Sequence, residues 1–327
     1  MFYVASFWIV KLKNEWIEYS FKARGYRQLS TYLDLTNETL LYFCRVVGII
    51  LRANTMVSLD LGLNEDHLVL VERDECVVTV VLNRPEKLNA LNRAMWLRVG
   101  EVFRKLDREE DLRCIILRGA GDKAFGPGAD ISEFKTYRKN SNQARQYGVL
   151  MHEAMRAIQS CRHPIVARIK GLCVGGALEL ALVCDLRIAG MSSQFGIPIN
   201  KLGLVMAYPE VKALVNLVGS SVALEILFEG RVFGASEARE KGLINKVISD
   251  EKVDSAVEEV VQNITNGAPL VNRWHKKFVC RVVDGVGENN PLTENEEAEG
   301  YQCFDTEDYN EGVKAFLNKK PPDFKGR

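Results

Sequence analysis

Net charge, paired cysteines and any clustering of histidine are missing from this chain. Its 43 Lys and Arg balance 43 Asp and Glu, so no global field favours nucleic acid, and only a local basic rim is left for a phosphate. The eight cysteines (Cys44, Cys76, Cys114, Cys161, Cys173, Cys184, Cys280 and Cys303) include no C-x-x-C pair. That spacing excludes the common zinc and dithiol patterns and reads as reduced thiols in a cytoplasmic protein without a metal. The four histidines, His67, His152, His163 and His275, lie far apart and are assigned to packing or to the surface. The stretch 40–51 is apolar but carries Arg45, well short of the roughly 20 residues a membrane span needs, so no span is expected. Residues 2–10 are apolar with no basic segment ahead of them, unlike a secretory signal.

What is present is a chain that is 47% hydrophobic over 327 residues, enough for one large or two smaller globular domains. Residues 1–60 read as an N-terminal extension, aromatic-rich through Phe2, Tyr3, Phe7, Trp8, Trp16, Tyr19, Phe21 and Tyr26. Met56 offers an alternative start, so the segment reads either as a real extension or as the product of an upstream initiation codon. From Leu68 the pattern alternates. Residues 77–82 form a β-branched run, and Leu91, Met95, Val99, Val102, Phe103 and Leu106 then recur at helical spacing. Strands are expected at 114–117 and 165–169, with a helix at 144–158 between them, stopped by His163-Pro164. A further helix is expected at 176–183. Strand and helix in alternation argue an α/β core over 61–250. The remainder, 251–327, reads as helical at 253–264, 270–283, 291–304 and 307–317.

Two loops carry the chemistry. Phe125-Gly126-Pro127-Gly128-Ala129-Asp130 and Gly171-Leu172-Cys173-Val174-Gly175-Gly176-Ala177-Leu178-Glu179 each end an apolar run with glycines and meet a helix signal. Glycine lets backbone approach a ligand closely, and two such loops can aim N–H groups at one developing oxyanion. Pro127 has no N–H but shapes the loop. Glu179, three residues past Gly176, projects about one helical turn from it, among Leu180, Ala181, Leu182 and Val183. Apolar surroundings raise a carboxyl pKa toward the value a general base needs; the same residue also reads as a first-turn acid placed for the helix dipole.

These loops, with Asn83-Arg84-Pro85-Glu86-Lys87-Leu88-Asn89-Ala90-Leu91-Asn92 upstream and Cys184-Asp185 downstream, resemble the crotonase (enoyl-CoA hydratase/isomerase) superfamily. The resemblance runs from about Leu68 to Arg327. It implies a spiral core of ββα turns with a C-terminal helical region that builds trimers or hexamers, closed by a motif at Phe304, Thr306, Asp308, Glu311, Gly312 and Phe316. It implies an acyl-CoA thioester as substrate, as in acyl-CoA degradation, with coenzyme A entering as part of that substrate. By motif position the oxyanion donors are the N–H groups of Ala129 and Gly176, and Glu179 matches the glutamate that activates water. Lys87, Leu88, Ala90, Leu91, Ala129, Asp130, Ile131 and Gly176 correspond to segments that hold CoA.

The chain departs from the family at Phe195-Gly196-Ile197-Pro198-Ile199-Asn200, where hydratases with two glutamates carry the second after the proline. Ile199 cannot move a proton. Tyr208 or Glu210 could substitute as an acid, or serve as rim and packing residues, and the Asn200 amide could orient a water. The leading expectation is an enoyl-CoA hydratase, a hydro-lyase adding water across the double bond of a 2-enoyl-CoA through an enolate. The alternatives are decarboxylation, isomerisation or thioester hydrolysis through the same enolate, or a non-catalytic CoA-binding paralogue.

Overall fold

The computed structural model describes residues 65–327 and, ahead of them, two strands. Those strands, β1 (Ser6–Leu12) and β2 (Glu15–Phe21), pair antiparallel as a hairpin. The hairpin belongs to a compact unit of residues 1–63, separate from that of residues 64–327. Met56 and the apolar run at 40–51 lie outside the described residues.

The larger unit is built on a six-stranded sheet. Its strands are β3 (Val69–Asp74), β4 (Val77–Leu82), β5 (Cys114–Gly119), β7 (Ile165–Ile169), β9 (Leu186–Gly190) and β12 (Lys246–Ile248), in spatial order β12-β9-β7-β5-β4-β3. Only the β3–β4 pair is antiparallel. Each of β5, β7 and β9 hands the chain to a three-residue strand, β6 (Ala124–Gly126), β8 (Leu172–Val174) or β10 (Gln194–Gly196). These form a second, four-stranded sheet with β11 (Phe233–Gly234), in the order β11-β10-β8-β6. The helix completing each turn follows.

The helices are α1 (Arg93–Leu106), the single turn α2 (Phe134–Tyr137), α3 (Ser141–Gln159), α4 (Gly176–Leu182), α5 (Tyr208–Glu229), α6 (Ala235–Glu240), α7 (Val253–Thr265), α8 (Pro269–Val283), α9 (Glu294–Glu299) and α10 (Glu307–Leu317). One strand in each sheet and then a helix, repeated, is the expected ββα spiral. Burial explains why the first sheet is legible and the second is not. All five residues of β7 are buried, giving the continuous apolar run of a parallel strand covered on both faces, whereas three-residue strands are too short to show a period.

Asn92 caps α1 by accepting from the Met95 N–H, and the helix turns Met95, Trp96, Val99, Val102, Phe103 and Leu106 inward. They meet Phe125, Met151, Met155, Leu178 and Phe195 in the main core. The opposite face of the six-stranded sheet is covered by α7, whose Val253, Val257 and Val261 pack on Cys114, Val166 and Ile188. Position 250 is therefore no packing boundary, and residues 64–327 form one compact unit.

Two helical assignments are corrected. Residues 291–304 are not one helix: α9 starts at a Thr293–Glu296 capping box and ends at Gly300, after which Gln302–Asp305 makes a 3-10 turn. The 22-residue α5 was not foreseen at all. By length and composition it is apolar enough to cross a membrane, but it is broken at Gly219 (φ 74°, ψ 168°) and sends Leu214, Ala223 and Ile226 into the core.

Candidate active site

The two glycine loops meet. Leu91 makes an isolated parallel bridge to Ala129, its N–H donating to Gly128 O and its carbonyl accepting from Asp130 N–H, both at 2.8 Å. The neighbours on either side of Ala129 thus take the bonds to that strand, and the Ala129 N–H faces away from Leu91. Gly176 is the first residue of α4, where an N–H has no acceptor inside the helix. Because α4 is only seven residues long, the N–H itself, more than a helix dipole, is what Gly176 offers.

Glycine is needed where the loops touch. Gly128 sits at φ +106°, and a Cβ there would stand 3.1 Å from Val174 O and 3.3 Å from Gly176 N. A Cβ on Gly176 would stand 3.3 Å from the Trp96 ring and 3.7 Å from Ala129 N. Gly175, at φ +54°, turns the chain into α4, with its N–H bonded to Gly196 O at 2.9 Å.

Behind these donors lie two carboxylates. Glu179, one turn into α4, is 6% exposed. Burial pushes its carboxyl up to about 8, the negative charge of Glu210 adds to the rise, and Arg138 opposes it. The Arg138 guanidinium itself stacks on the rings of Phe134 at 4.4 Å and Tyr147 at 5.2 Å. Glu210, in the first turn of α5, is buried as well, and its Oε1 lies 2.8 Å from His152 Nε2 on α3.

The upstream segment is tied to the first loop by Arg84. Its Nη1 donates to Ala90 O at 2.7 Å and its Nη2 to Asp130 Oδ2 at 3.0 Å. Asp130 also caps the following 3-10 turn through the Ser132 N–H, and its hydrogen bonds from Ser132 and Arg84 hold it below the usual carboxylate range. Buried Asn89 donates to Ala120 O and Ala124 O. Leu88 and Asn89 both adopt positive φ, which turns Lys87 and Leu88 out to solvent while Leu91 is buried. Ile131, 56% exposed, stands on the same rim. Arg84 is thus engaged with Asp130, whereas Lys87 is exposed.

Three further residues named from the sequence part company. Glu210 enters the carboxylate cluster. Tyr208, two residues earlier, is 92% exposed and is not brought to it. Asn200 is exposed and donates its amide to Phe228 O at 2.8 Å, binding the loop after β10 to the end of α5. Reasoning from the sequence missed His152, Arg138 and Trp96. For His152 a signal existed: it follows Met151 at the edge of the apolar stripe of α3. Among the described residues no group of three or more His, Cys, Asp or Glu is gathered as a metal site.

Backbone N–H groups from two touching loops, at the start of a helix that carries a buried carboxyl, are the kind of arrangement that can receive charge developing on an oxygen. Comparison with known proteins agrees. The enoyl-CoA hydratase/isomerase family matches residues 72–327. A short-chain-enoyl-CoA hydratase of Clostridium acetobutylicum is 32% identical over 252 residues, 77% of this chain and 95% of that protein. A crotonyl-CoA hydratase of Syntrophomonas wolfei is 31% identical over 257 residues, 78% of this chain and 97% of that protein. The crystal structure of an enoyl-CoA hydratase/carnithine racemase from Magnetospirillum magneticum superposes with a TM-score of 0.77 at 44% identity, covering 80% of this chain and 96% of that one. The chain belongs to the enoyl-CoA hydratase/isomerase family.

Proposed function

We infer that the protein is an enoyl-CoA hydratase, adding water across the double bond of a 2-enoyl-CoA. One observation carries the reading: the backbone nitrogens of Ala129 and Gly176 come close together at the start of the helix that carries the buried Glu179 one turn further on. As water attacks Cβ, charge moves onto the thioester oxygen, where the two N–H groups stabilise it. Each such donor is worth about 2.7 to 4 kcal/mol in comparable oxyanion holes. Glu179 receives the proton that leaves the water, and a carboxyl held at about 8 is matched to proton transfer near neutrality. The reaction moves protons only and calls on no redox group, so coenzyme A enters as part of the substrate. Lys87, Leu88 and Ile131 are assigned to its recognition from the exposed surface, and Ala90 and Leu91 as the segment whose backbone joins Ala129 and Asp130.

We assign the protein to the cytoplasm, a reading supported by the seven free cysteines of the described residues. Assembly into trimers or hexamers is supported by apolar side chains left exposed on the C-terminal helices, among them Val279, Val282, Phe316 and Leu317; light scattering of the purified protein tests it. The function itself is tested by following the absorbance of the conjugated thioester of crotonyl-CoA. The expected result is its loss with the wild type and a rate about 100-fold or more lower with Glu179→Gln. A Glu179→Gln variant as fast as the wild type would overturn the assignment.

A further inference from the structure

Hydration has two proton events: one proton leaves the attacking water and one arrives at Cα. Glu179 accounts for the first. Position 199 holds a half-buried isoleucine packed on the core and moves no proton. The geometry points to Glu210, presented by α5 and held by His152 of α3, as the second proton-transfer carboxylate of the site, with His152 as its positioning residue. This inference rests on the hydratase reading above.

Glu210 is 5% exposed, and acidic side chains are almost never so buried unless they are paired. Only one of its oxygens is. Oε1 accepts from His152 Nε2 at 2.8 Å, while Oε2 is buried without a partner among the described residues. The histidine N–H fixes which oxygen is occupied, leaving Oε2 for a proton and a substrate. The titratable groups that face it are His152 from α3 and Glu179 from α4, and Glu179 in turn feels the charge of Arg138 from the segment after α2.

The step balances. In the reactive state Glu179 is ionised and Glu210 carries a proton on Oε2: the water oxygen bonds Cβ and Glu179 takes one water proton, while the Cα=Cβ electron pair moves toward the thioester oxygen. The enolate then collapses as Cα bonds the Glu210 proton, and the O–H electron pair stays on the Glu210 carboxylate. One H and one OH have been added to the substrate. The pair ends with its proton on Glu179 and is reset by transfer between the two carboxyls.

The experiment compares Glu179→Gln, Glu210→Gln, His152→Ala and His152→Gln in two assays. One is hydration of crotonyl-CoA. The other is exchange of the α-protons of butyryl-CoA in D2O, followed by NMR, which needs a base at Cα and no water addition. Glu210→Gln is expected to lower kcat for hydration about 100-fold or more with KM within about threefold, and to abolish exchange. Glu179→Gln is expected to lose hydration yet keep exchange. His152→Ala is expected to lower kcat about tenfold, and His152→Gln, which restores a donor, to recover most of it. Hydration by Glu210→Gln within threefold of wild type, with Glu179→Gln inactive, would reduce Glu210 to a structural role and leave the hydratase reading standing. Absence of crotonyl-CoA hydration by the wild type would overturn that reading for this substrate instead, and exchange would still decide the role of Glu210. If Glu210→Gln does not fold, Glu210→Asp, which keeps the charge and shortens the reach, carries the same comparison.

Discussion

Leu91 bonds to the residues on both sides of Ala129 and leaves the Ala129 N–H turned away from it. A backbone donor so placed is held by strand pairing, with no side chain to reorganise when charge develops. Its partner donor, Gly176, is held by the start of a helix. The proposed oxyanion site thus rests on two secondary-structure ends in contact, and the close approach of Gly128 to Val174 and Gly176 holds them together.

Gly128→Ala tests that contact. The new methyl would press on Val174 O and Gly176 N, at a φ that L residues avoid. The expected outcome is a fall in kcat of about 100-fold as the donors separate, with a loss of about 1–3 kcal/mol in stability, read by steady-state kinetics and denaturant unfolding.

The rate of hydration is expected to depend on pH through Glu179. A base acts in its ionised form, and burial raises this carboxyl to about 8, so kcat/KM for hydration should rise as pH climbs through about 8. Glu179→Gln should remove that limb. A pH profile of crotonyl-CoA hydration checks it.

Stability carries the same titration with a definite sign. The folded-state value of Glu179 is raised above that of an unfolded glutamate, so its contribution is fully present below about pH 4.5 and is lost as pH rises through about 8. Glu179→Gln removes this dependence. Its Tm should match the wild type near pH 4.5 and exceed it at pH 8.5, the gap growing by at most about 1.4 kcal/mol per pH unit between.

Arg187 is the structural support of the helix that carries Glu179. Buried on β9, it donates from Nη1 to Ala181 O and Cys184 O at the end of α4, and from Nε to Leu243 O at 2.8 Å. Arg187→Met strips three buried carbonyls of their donor. A loss of about 3 kcal/mol or more is expected, together with reduced kcat, measured by unfolding and by the hydration assay.

The alternation of strands and helices from Val69 onward was legible because each element declares itself locally: β4 and β7 as apolar runs, α1 through its stripe and the Asn92 cap, α10 through Thr306. The second sheet was not, since three residues of β6, β8 or β10 carry no period. Nor was α5, whose apolar residues run all round it and leave no stripe to read, and whose Gly219 interrupts it.

The sequence by itself determined the two glycine loops, the helix that presents Glu179 and the family to which they belong. Those depend on local backbone requirements: glycine at positive φ, an apolar strand before the loop, a helix start after it. Only the tertiary structure decided what completes the site. Glu210 and His152 are 58 residues apart and Arg84 and Asp130 are 46 apart; Tyr208, two residues from Glu210, points to solvent. Which of these side chains meet depends on where α5 crosses α3 and α4, and that crossing is set by long-range packing of the core, to which no local pattern in the chain is sensitive.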